Sequence, residues 1–189
     1  MQDLTLCLVQ TFLHWEKPDA NRAHFEELFS DIEGKPDLIL LPEMFTTGFS
    51  MNAEKLAEPM NLHTCKWLLN MARQLNTHVG GSLIIKENAH YYNRFLCASP
   101  EGKFYQYDKR HLFSFAKEDE HYYPGNKNIN FDIKGWKIRP QICYDLRFPV
   151  WSRNSESDTF DLLLYVANWP EARIKAWTSL LNARAIENA

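Results

Sequence analysis

The chain has 189 residues, of which 45% are hydrophobic and 14% aromatic, and its formal net charge at pH 7 is −3. This size and apolar content suit one globular domain, so residues 1–189 are treated as a single domain. The slight acidic excess argues against nucleic acid or a membrane surface as a partner, because affinity for either depends on an excess of positive charge.

Four cysteines are present, Cys7, Cys65, Cys97 and Cys143, and no two of them lie within four residues of one another. The Cys-x-x-Cys pairs typical of zinc and redox sites are therefore absent, and we expect no bound metal. No signal peptide precedes Leu4, and no apolar run reaches the length of a membrane span. We therefore expect a cytoplasmic protein with reduced thiols.

The first half of the chain alternates short apolar segments with amphipathic ones. Segments 4–10, 37–43 and 77–85 are predicted strands, and the second is continuously apolar, as in a strand buried on both faces. Between them, apolar residues recur at helical spacing. These residues are Phe25, Leu28, Phe29 and Ile32 in the first predicted helix, and Cys65, Leu68, Leu69, Ala72 and Leu75 in the second. The β-α-β-α-β order predicts an α/β fold with helices packed over a sheet.

The second half begins with a predicted hairpin. Segments 91–99 and 103–109 flank Pro100-Glu101-Gly102, which is a turn signal, so the sheet is expected to be mixed. Segments 136–143 and 161–168 predict two further strands. A helix follows, with Ile174, Trp177, Leu181 and Ala185 on one face. An amphipathic helix with no strand after it is an unusual end for an α/β domain, and we expect the domain to be C-terminally incomplete.

Three reactive side chains stand at the ends of predicted strands: Glu43, Lys109 and Cys143. Ligand sites in open α/β folds form beyond the carboxyl ends of strands, so these ends can bring an acid, an ammonium group and a thiol together. Each residue also has a plainer interpretation. Glu43 can be a solvated carboxylate, Lys109 part of a surface charge run, and Cys143 a buried apolar filler.

Three segments resemble the signatures of the nitrilase superfamily, also called the carbon–nitrogen hydrolases: LLPEMFTTGF, YDKRHLF and CYDLRFP, in this order. The tail YVANWPEARIKAWTSLLNARAIEN resembles the omega-amidase-like branch of that superfamily. The resemblance covers essentially the whole chain. It implies a four-layer α-β-β-α sandwich of the nitrilase type, here lacking its C-terminal strands, and a catalytic triad formed by Glu43, Lys109 and Cys143.

These residue types suit amide hydrolysis. A thiol with an ordinary pKa of about 8.5 is mostly protonated at neutral pH. Glu43 would take the proton as Cys143 attacks the amide carbon, and would pass it to the departing ammonia. Lys109 and the backbone N–H of Tyr144 would face the negative charge that develops on the carbonyl oxygen. Water then hydrolyses the thioester with Glu43 as base, so neither a metal nor an organic cofactor is required.

The acidic segment KEDEHYYPG, residues 117–125, resembles the loop that supplies a second active-site glutamate in this superfamily. Its EHYYPG portion favours Glu120 for that role, whereas a different register would choose Glu118. The plainer interpretation is a solvated acidic loop.

Four other residues are candidates for the substrate pocket. Arg147 could bind a substrate carboxylate through its planar guanidinium, or it could pair internally with Asp145. Phe45, Tyr144 and Trp169 adjoin the strand ends and could wall the pocket, although aromatic residues also pack cores.

We therefore expect a thiol amidase that releases ammonia from a small linear amide through a cysteine thioester. The resemblance points to the ω-amide of a 2-oxo dicarboxylic acid, such as 2-oxoglutaramate. An N-carbamoyl compound or a nitrile is the alternative among enzyme substrates, because the motifs are shared across the superfamily. A non-catalytic binding or assembly module on the same scaffold is the alternative outside enzymes. The resemblance also implies a homodimer or a larger homo-oligomer.

Overall fold

The computed structural model describes residues 2–188, which form nine strands and five α-helices. The strands are β1 (Leu6–Leu8), β2 (Leu38–Leu40), β3 (Glu58–Pro59), β4 (His78–Glu87), β5 (His90–Ala98), β6 (Phe104–Asp108), β7 (Phe131–Ile133), β8 (Trp136–Ile142) and β9 (Leu162–Val166). The helices are α1 (Pro18–Ser30), α2 (Ala53–Leu56), α3 (His63–Leu75), α4 (Glu118–His121) and α5 (Ile174–Glu187). Within the described range, no helix has the length and apolarity needed to cross a membrane.

The first sheet is mixed and has the strand order β1-β2-β4-β5-β6, with the short β3 paired to β4. Strands β1, β2 and β4 run parallel, which matches the predicted alternation with helices, because parallel neighbours need a crossover connection. Strands β4, β5 and β6 are antiparallel neighbours. The hairpin expected around Pro100-Glu101-Gly102 is therefore confirmed, with β5 and β6 as its strands.

The second sheet has the order β7-β8-β9. Strands β7 and β8 form a tight hairpin, in which Lys134 and Gly135 both have positive φ, 54° and 82°. Two consecutive residues of positive φ are typical of the turns whose twist matches that of a hairpin. Strands β8 and β9 are parallel. Strand β7 was not predicted, although Ile129, Phe131 and Ile133 alternate with polar residues up to the Lys134-Gly135 turn, a pattern typical of a half-buried strand.

Two apolar cores hold four layers together. Helices α1 and α3 cover the outer face of the first sheet, where Phe25 is fully buried. The inner faces of the two sheets pack on each other, with Phe95 from the first and Leu164 from the second in the same cluster. Helix α5 lies against the far side of the second sheet, where Trp177 meets Tyr165 edge-on at 6.5 Å between ring centroids. This layering confirms the α-β-β-α fold class.

Candidate active site

Glu43, Lys109 and Cys143 follow strands β2, β6 and β8, and the fold brings all three side chains to one place. Lys109 Nζ donates a hydrogen bond to Glu43 Oε1 at 2.9 Å, and both side chains are completely buried. The thiol of Cys143 is also buried, and its ionisation responds to the charges of both neighbours. An acid, an ammonium group and a thiol therefore share one site, as the strand-end positions indicated.

A second buried carboxylate adjoins this group, and it belongs to Glu118. Lys109 Nζ lies 3.0 and 2.8 Å from the two Glu118 oxygens, and the Phe113 N–H donates to Glu118 Oε2 at 2.6 Å. Glu120 instead has a side chain that is 59% exposed, with its carboxylate 3.4 Å from Lys117 Nζ. Of the two candidates, the structure places Glu118 against Lys109 and leaves Glu120 outside the cluster, because residues two apart on a helical turn face different directions.

Asn93, on β5, connects the two carboxylates, and the sequence analysis did not identify it. Its Nδ2 donates to Glu43 Oε1 at 2.9 Å and to Glu118 Oε1 at 3.1 Å. Its Oδ1 accepts a hydrogen bond from Ser82 Oγ at 2.8 Å, which fixes the amide with its nitrogen toward the acids. The sequence did contain one signal for it: an amide in the middle of a predicted strand. A polar side chain buried there requires hydrogen-bond partners, which points to a polar site nearby.

Asn168, directly after β9, holds Glu43 from the second sheet and was also missed. Its backbone N–H donates to Glu43 Oε2 at 2.9 Å, and its side-chain Nδ2 donates to the Glu43 backbone carbonyl. Both carboxylate oxygens of Glu43 therefore accept hydrogen bonds, one from the first sheet's residues and one from the second's. This fixes the orientation of the carboxylate before any substrate binds.

Cys143 occupies a sharp turn at which β8 ends and a short 3₁₀ turn begins. Its φ is 45°, in the left-handed region that residues other than glycine seldom adopt. The carboxylate of Asp145 supports this turn by accepting hydrogen bonds from the Ile142 N–H at 3.1 Å. It also accepts from the His111 N–H at 2.9 Å and the Tyr107 hydroxyl at 2.7 Å. A non-glycine residue keeps such a conformation only where surrounding contacts maintain it, and here Asp145 supplies them.

The site sets the protonation of its own groups. Burial raises the pKa of the Cys143 thiol well above its ordinary value, and the charge of Glu43 raises it further. Burial alone would lower the pKa of Lys109, but Glu43 and Glu118 outweigh this effect and raise it. Burial also raises the pKa of Glu118, with Lys109 opposing. The resting site therefore holds a protonated thiol beside a charged ammonium group.

The thiol opens into a cavity of about 190 Å³. Tyr144, Arg147 and Trp169 line this cavity, together with Phe49, Phe113 and Arg173. The guanidinium of Arg147 lies 5.6 Å from the centroid of the Trp169 ring, and it does not pair with Asp145. Within residues 2–188, no group of three or more His, Cys, Asp or Glu side chains is placed to hold a metal ion.

Phe45 does not line the cavity. It is fully buried in the outer core, 5.7 Å from the Phe25 ring and 5.8 Å from the Trp67 ring between centroids. The expectation that it walls the pocket is therefore wrong. Met44, with φ of 44°, turns the chain after Glu43, and this turn carries Phe45 into the core beneath α1 and α3.

Several known proteins are similar to this chain in sequence over nearly its whole length. A protein named omega-amidase YafV from Yersinia enterocolitica is 48% identical over 188 residues, covering 100% of this chain and 72% of that protein. A 2-oxoglutaramate amidase from Bacillus subtilis is 36% identical over 190 residues, covering 97% of this chain and 72% of that protein. This chain thus spans about 72% of the length of these relatives.

Solved structures of the same superfamily superimpose closely on this chain. A CN-hydrolase superfamily protein from Xanthomonas campestris, crystallised with an arsenic adduct in its active site, is 44% identical and superimposes with a TM-score of 0.96, over 100% of this chain and 73% of that one. Nit3 of Saccharomyces cerevisiae, a nitrilase-superfamily member, is 26% identical with a TM-score of 0.83, over 96% of this chain and 71% of that one. The model of the family described as carbon-nitrogen hydrolase matches residues 5–189. The chain therefore belongs to the carbon–nitrogen hydrolase family, the family that its three motifs resemble.

Proposed function

We propose that this protein hydrolyses the ω-amide of a 2-oxo dicarboxylic acid, such as 2-oxoglutaramate, to the dicarboxylic acid and ammonia. One observation carries the proposal: a buried Glu43–Lys109–Cys143 cluster lies at a cavity of about 190 Å³ that also carries Arg147. The cluster suits attack on an amide carbon, and the arginine suits a carboxylate at the far end of the substrate. The names of the relatives from Yersinia and Bacillus support the same substrate class.

Cys143 is the proposed nucleophile and Glu43 its general base. Because the pKa of the thiol is raised, a free thiolate is scarce, and the proton has to leave as the bond to carbon forms. Glu43 accepts that proton as the sulfur–carbon bond forms, and delivers it to nitrogen as the carbon–nitrogen bond breaks. Ammonia leaves, and a thioester remains on Cys143.

Lys109 is the proposed electrostatic partner of the oxyanion. Its ammonium keeps its charge because two carboxylates raise its pKa, and it is held in place by hydrogen bonds to both. The backbone N–H of Tyr144 is the proposed second donor, since it directly follows the nucleophile at the turn. Glu118 is a positioning residue in this scheme, because its contacts are to Lys109, Asn93 and the Phe113 backbone.

Hydrolysis of the thioester uses the same groups. Water enters where ammonia left, Glu43 removes a proton from it, and the new carbon–oxygen bond replaces the carbon–sulfur bond. The proton returns to the departing sulfur, which restores the Cys143 thiol. Each turnover consumes one amide and one water and yields one carboxylic acid and one ammonia.

The test is ammonia release from three substrate classes: 2-oxoglutaramate, an N-carbamoyl amino acid and an aliphatic nitrile. We expect release from the 2-oxo acid amide, abolished in Cys143→Ala. Cys7→Ala, at a partly buried cysteine of β1, is the matched control and should retain activity. Preference for the carbamoyl compound or the nitrile would contradict the proposed substrate. If the folded protein released no ammonia from any of the three substrates, a non-catalytic binding or assembly module would be favoured.

Two further properties belong to the proposal. A cytoplasmic location suits the four free cysteines, because reducing compartments keep thiols reduced. A homodimer or larger homo-oligomer is proposed from the family resemblance, and exposed apolar side chains such as Val150 and Ile186 are available for such contacts. Light scattering on the purified protein measures the assembly directly.

A further inference from the structure

Arg173 follows β9 and directly precedes α5, and its side chain lines the same cavity as Cys143 and Arg147. We propose that Arg173 and Arg147 together form the subsite for the 2-oxo-carboxylate end of the substrate, with Arg173 as a specificity-determining residue. This inference rests on the proposed function and deepens it, since it names the residue that distinguishes a 2-oxo acid from its analogues.

The first support is the charge of the cavity. Among its lining residues, Arg147 and Arg173 are the only charged ones, and the rest of the wall is mainly aromatic and apolar. Within residues 2–188, neither guanidinium has an acidic side chain within ion-pairing distance, and neither donates a side-chain hydrogen bond. Two positive charges that share an apolar cavity without internal partners are available for an anionic ligand.

The second support is that both arginines rest on aromatic rings. The guanidinium of Arg173 lies 4.9 Å from the centroid of the Phe113 ring, and that of Arg147 lies 5.6 Å from the centroid of the Trp169 ring. A guanidinium stacked on a ring face keeps its donors at the edge of its plane free to bind a ligand. The stacking also reduces the conformational freedom that binding would otherwise remove.

The third support is that the two residues carrying these rings are themselves held by hydrogen bonds within the site. The Trp169 indole N–H donates to the Arg173 backbone carbonyl at 2.9 Å, so the ring beneath one arginine also holds the backbone of the other. The Phe113 N–H donates to Glu118 Oε2 at 2.6 Å, and Glu118 in turn holds Lys109. These hydrogen bonds tie the residue beneath Arg173 to the group that holds Lys109, and the residue beneath Arg147 to the backbone of Arg173.

A 2-oxo acid presents three oxygen acceptors at one end, two on the carboxylate and one on the adjacent carbonyl. One guanidinium satisfies the carboxylate through two parallel hydrogen bonds, and the second reaches the 2-oxo oxygen and the nearer carboxylate oxygen. A 2-amino acid of the same length presents an ammonium group at that position. Its positive charge and its own donors oppose the guanidinium, so the arginine pair selects against ω-amides of amino acids.

The experiment compares three amides: 2-oxoglutaramate, L-glutamine, and butyramide, which has no carboxylate. The variants are Arg173→Met, Arg173→Lys and the control Arg153→Met. Arg153 is an arginine outside the cavity whose nearest acidic partner is Glu187 at 3.5 Å. For Arg173→Met, kcat/KM on 2-oxoglutaramate should fall about 10-fold or more through KM, since a charged hydrogen-bond donor is lost. Turnover of butyramide should be unchanged, and Arg173→Lys should recover part of the loss.

The outcomes separate the two proposals. If the wild-type protein shows no preference for 2-oxoglutaramate over butyramide, the substrate class of the proposed function is wrong. If the preference exists and Arg173→Met keeps all of it, the function stands and the subsite assigned to Arg173 is overturned. Equal losses on both amides, with unfolding unchanged, would also overturn it, because a residue that binds the charged end cannot affect an uncharged substrate equally.

Discussion

At the scale of single residues, the two glutamates of α4 form a natural matched pair. Glu118 is buried against Lys109, whereas Glu120 is exposed. Replacing Glu118 by Gln removes a charge that positions Lys109, and misplacement of a catalytic group commonly costs about 100-fold in rate. We expect kcat to fall by about that factor in Glu118→Gln. In Glu120→Gln it should stay within about twofold, as for other exposed ion pairs.

Steady-state ammonia release from both variants measures this difference, and circular dichroism checks that both are folded. A large loss in Glu120→Gln together with a small one in Glu118→Gln would restore the assignment made from the sequence. The distinction depends on which acid of KEDEHYYPG faces inward. Sequence alone left that open, since four consecutive residues of a single helical turn contain no apolar repeat that would set the register.

The proton of Cys143 gives a second residue-scale prediction. The charge of Glu43 raises the pKa of the thiol, so replacing Glu43 by Gln removes a negative charge and should lower that pKa. It should remain above the ordinary thiol value, because burial is the larger cause. The variant should nevertheless be inactive, since the general base is gone.

The measurement is the ultraviolet absorbance of the thiolate against pH, with the matching Cys143→Ala protein subtracted in each background. The thiolate midpoint should lie at lower pH in Glu43→Gln than in the parent. A midpoint that stays the same or rises would show that the Glu43 charge does not act on the thiol. In that case the proposed role of Glu43 as its general base would be wrong.

At the scale of elements, the turn after β8 depends on Asp145. The backbone N–H groups of Ile142 and His111 and the hydroxyl of Tyr107 all donate to its carboxylate. Asn in this position supplies one oxygen in place of two and adds donors that the site does not need. We expect Asp145→Asn to lower the free energy of unfolding by about 2 kcal/mol, the scale of a lost hydrogen bond to a charged group.

Urea denaturation measures this loss, and Asp161→Asn is the control. The Asp161 carboxylate is exposed and accepts from the Lys137 N–H at the beginning of the β8–β9 pairing, where water can replace it. Its substitution should cost far less. Equal costs at the two positions would mean that Asp145 does not support the turn that presents Cys143.

The elements that sequence predicted well are those with a strong apolar pattern. The parallel strands around β2, the hairpin of β5 and β6, and helices α1 and α3 all repeat apolar residues at the spacing of their structure. Helix α4 has four residues, too few to show a helical period. Strand β7 was overlooked although its apolar residues alternate with polar ones. The residues missed in the site, Asn93, Asn168 and Arg173, lie outside the three motifs. Their roles depend on tertiary contacts that local sequence does not contain.

At the scale of the whole molecule, the catalytic cluster is divided between the sheets. Glu43 and Lys109 follow strands of the first sheet, and Cys143 follows a strand of the second. The distance between base and nucleophile is therefore set by how the two inner faces pack. A change in that packing should affect catalysis, whereas an equal change in the outer core should affect stability alone.

Two leucines test this separation. Leu164 belongs to the core between the sheets, and Leu68 to the core beneath α3, and both are buried. Each Leu→Ala change should lower the free energy of unfolding by about 2–5 kcal/mol. Measured on the folded fraction at low temperature, kcat should fall severalfold in Leu164→Ala, because the cavity lets the second sheet settle toward the first and shifts Cys143. It should be unchanged in Leu68→Ala. If both variants lost stability but kept full kcat, the packing between the sheets would not determine the geometry of the catalytic cluster.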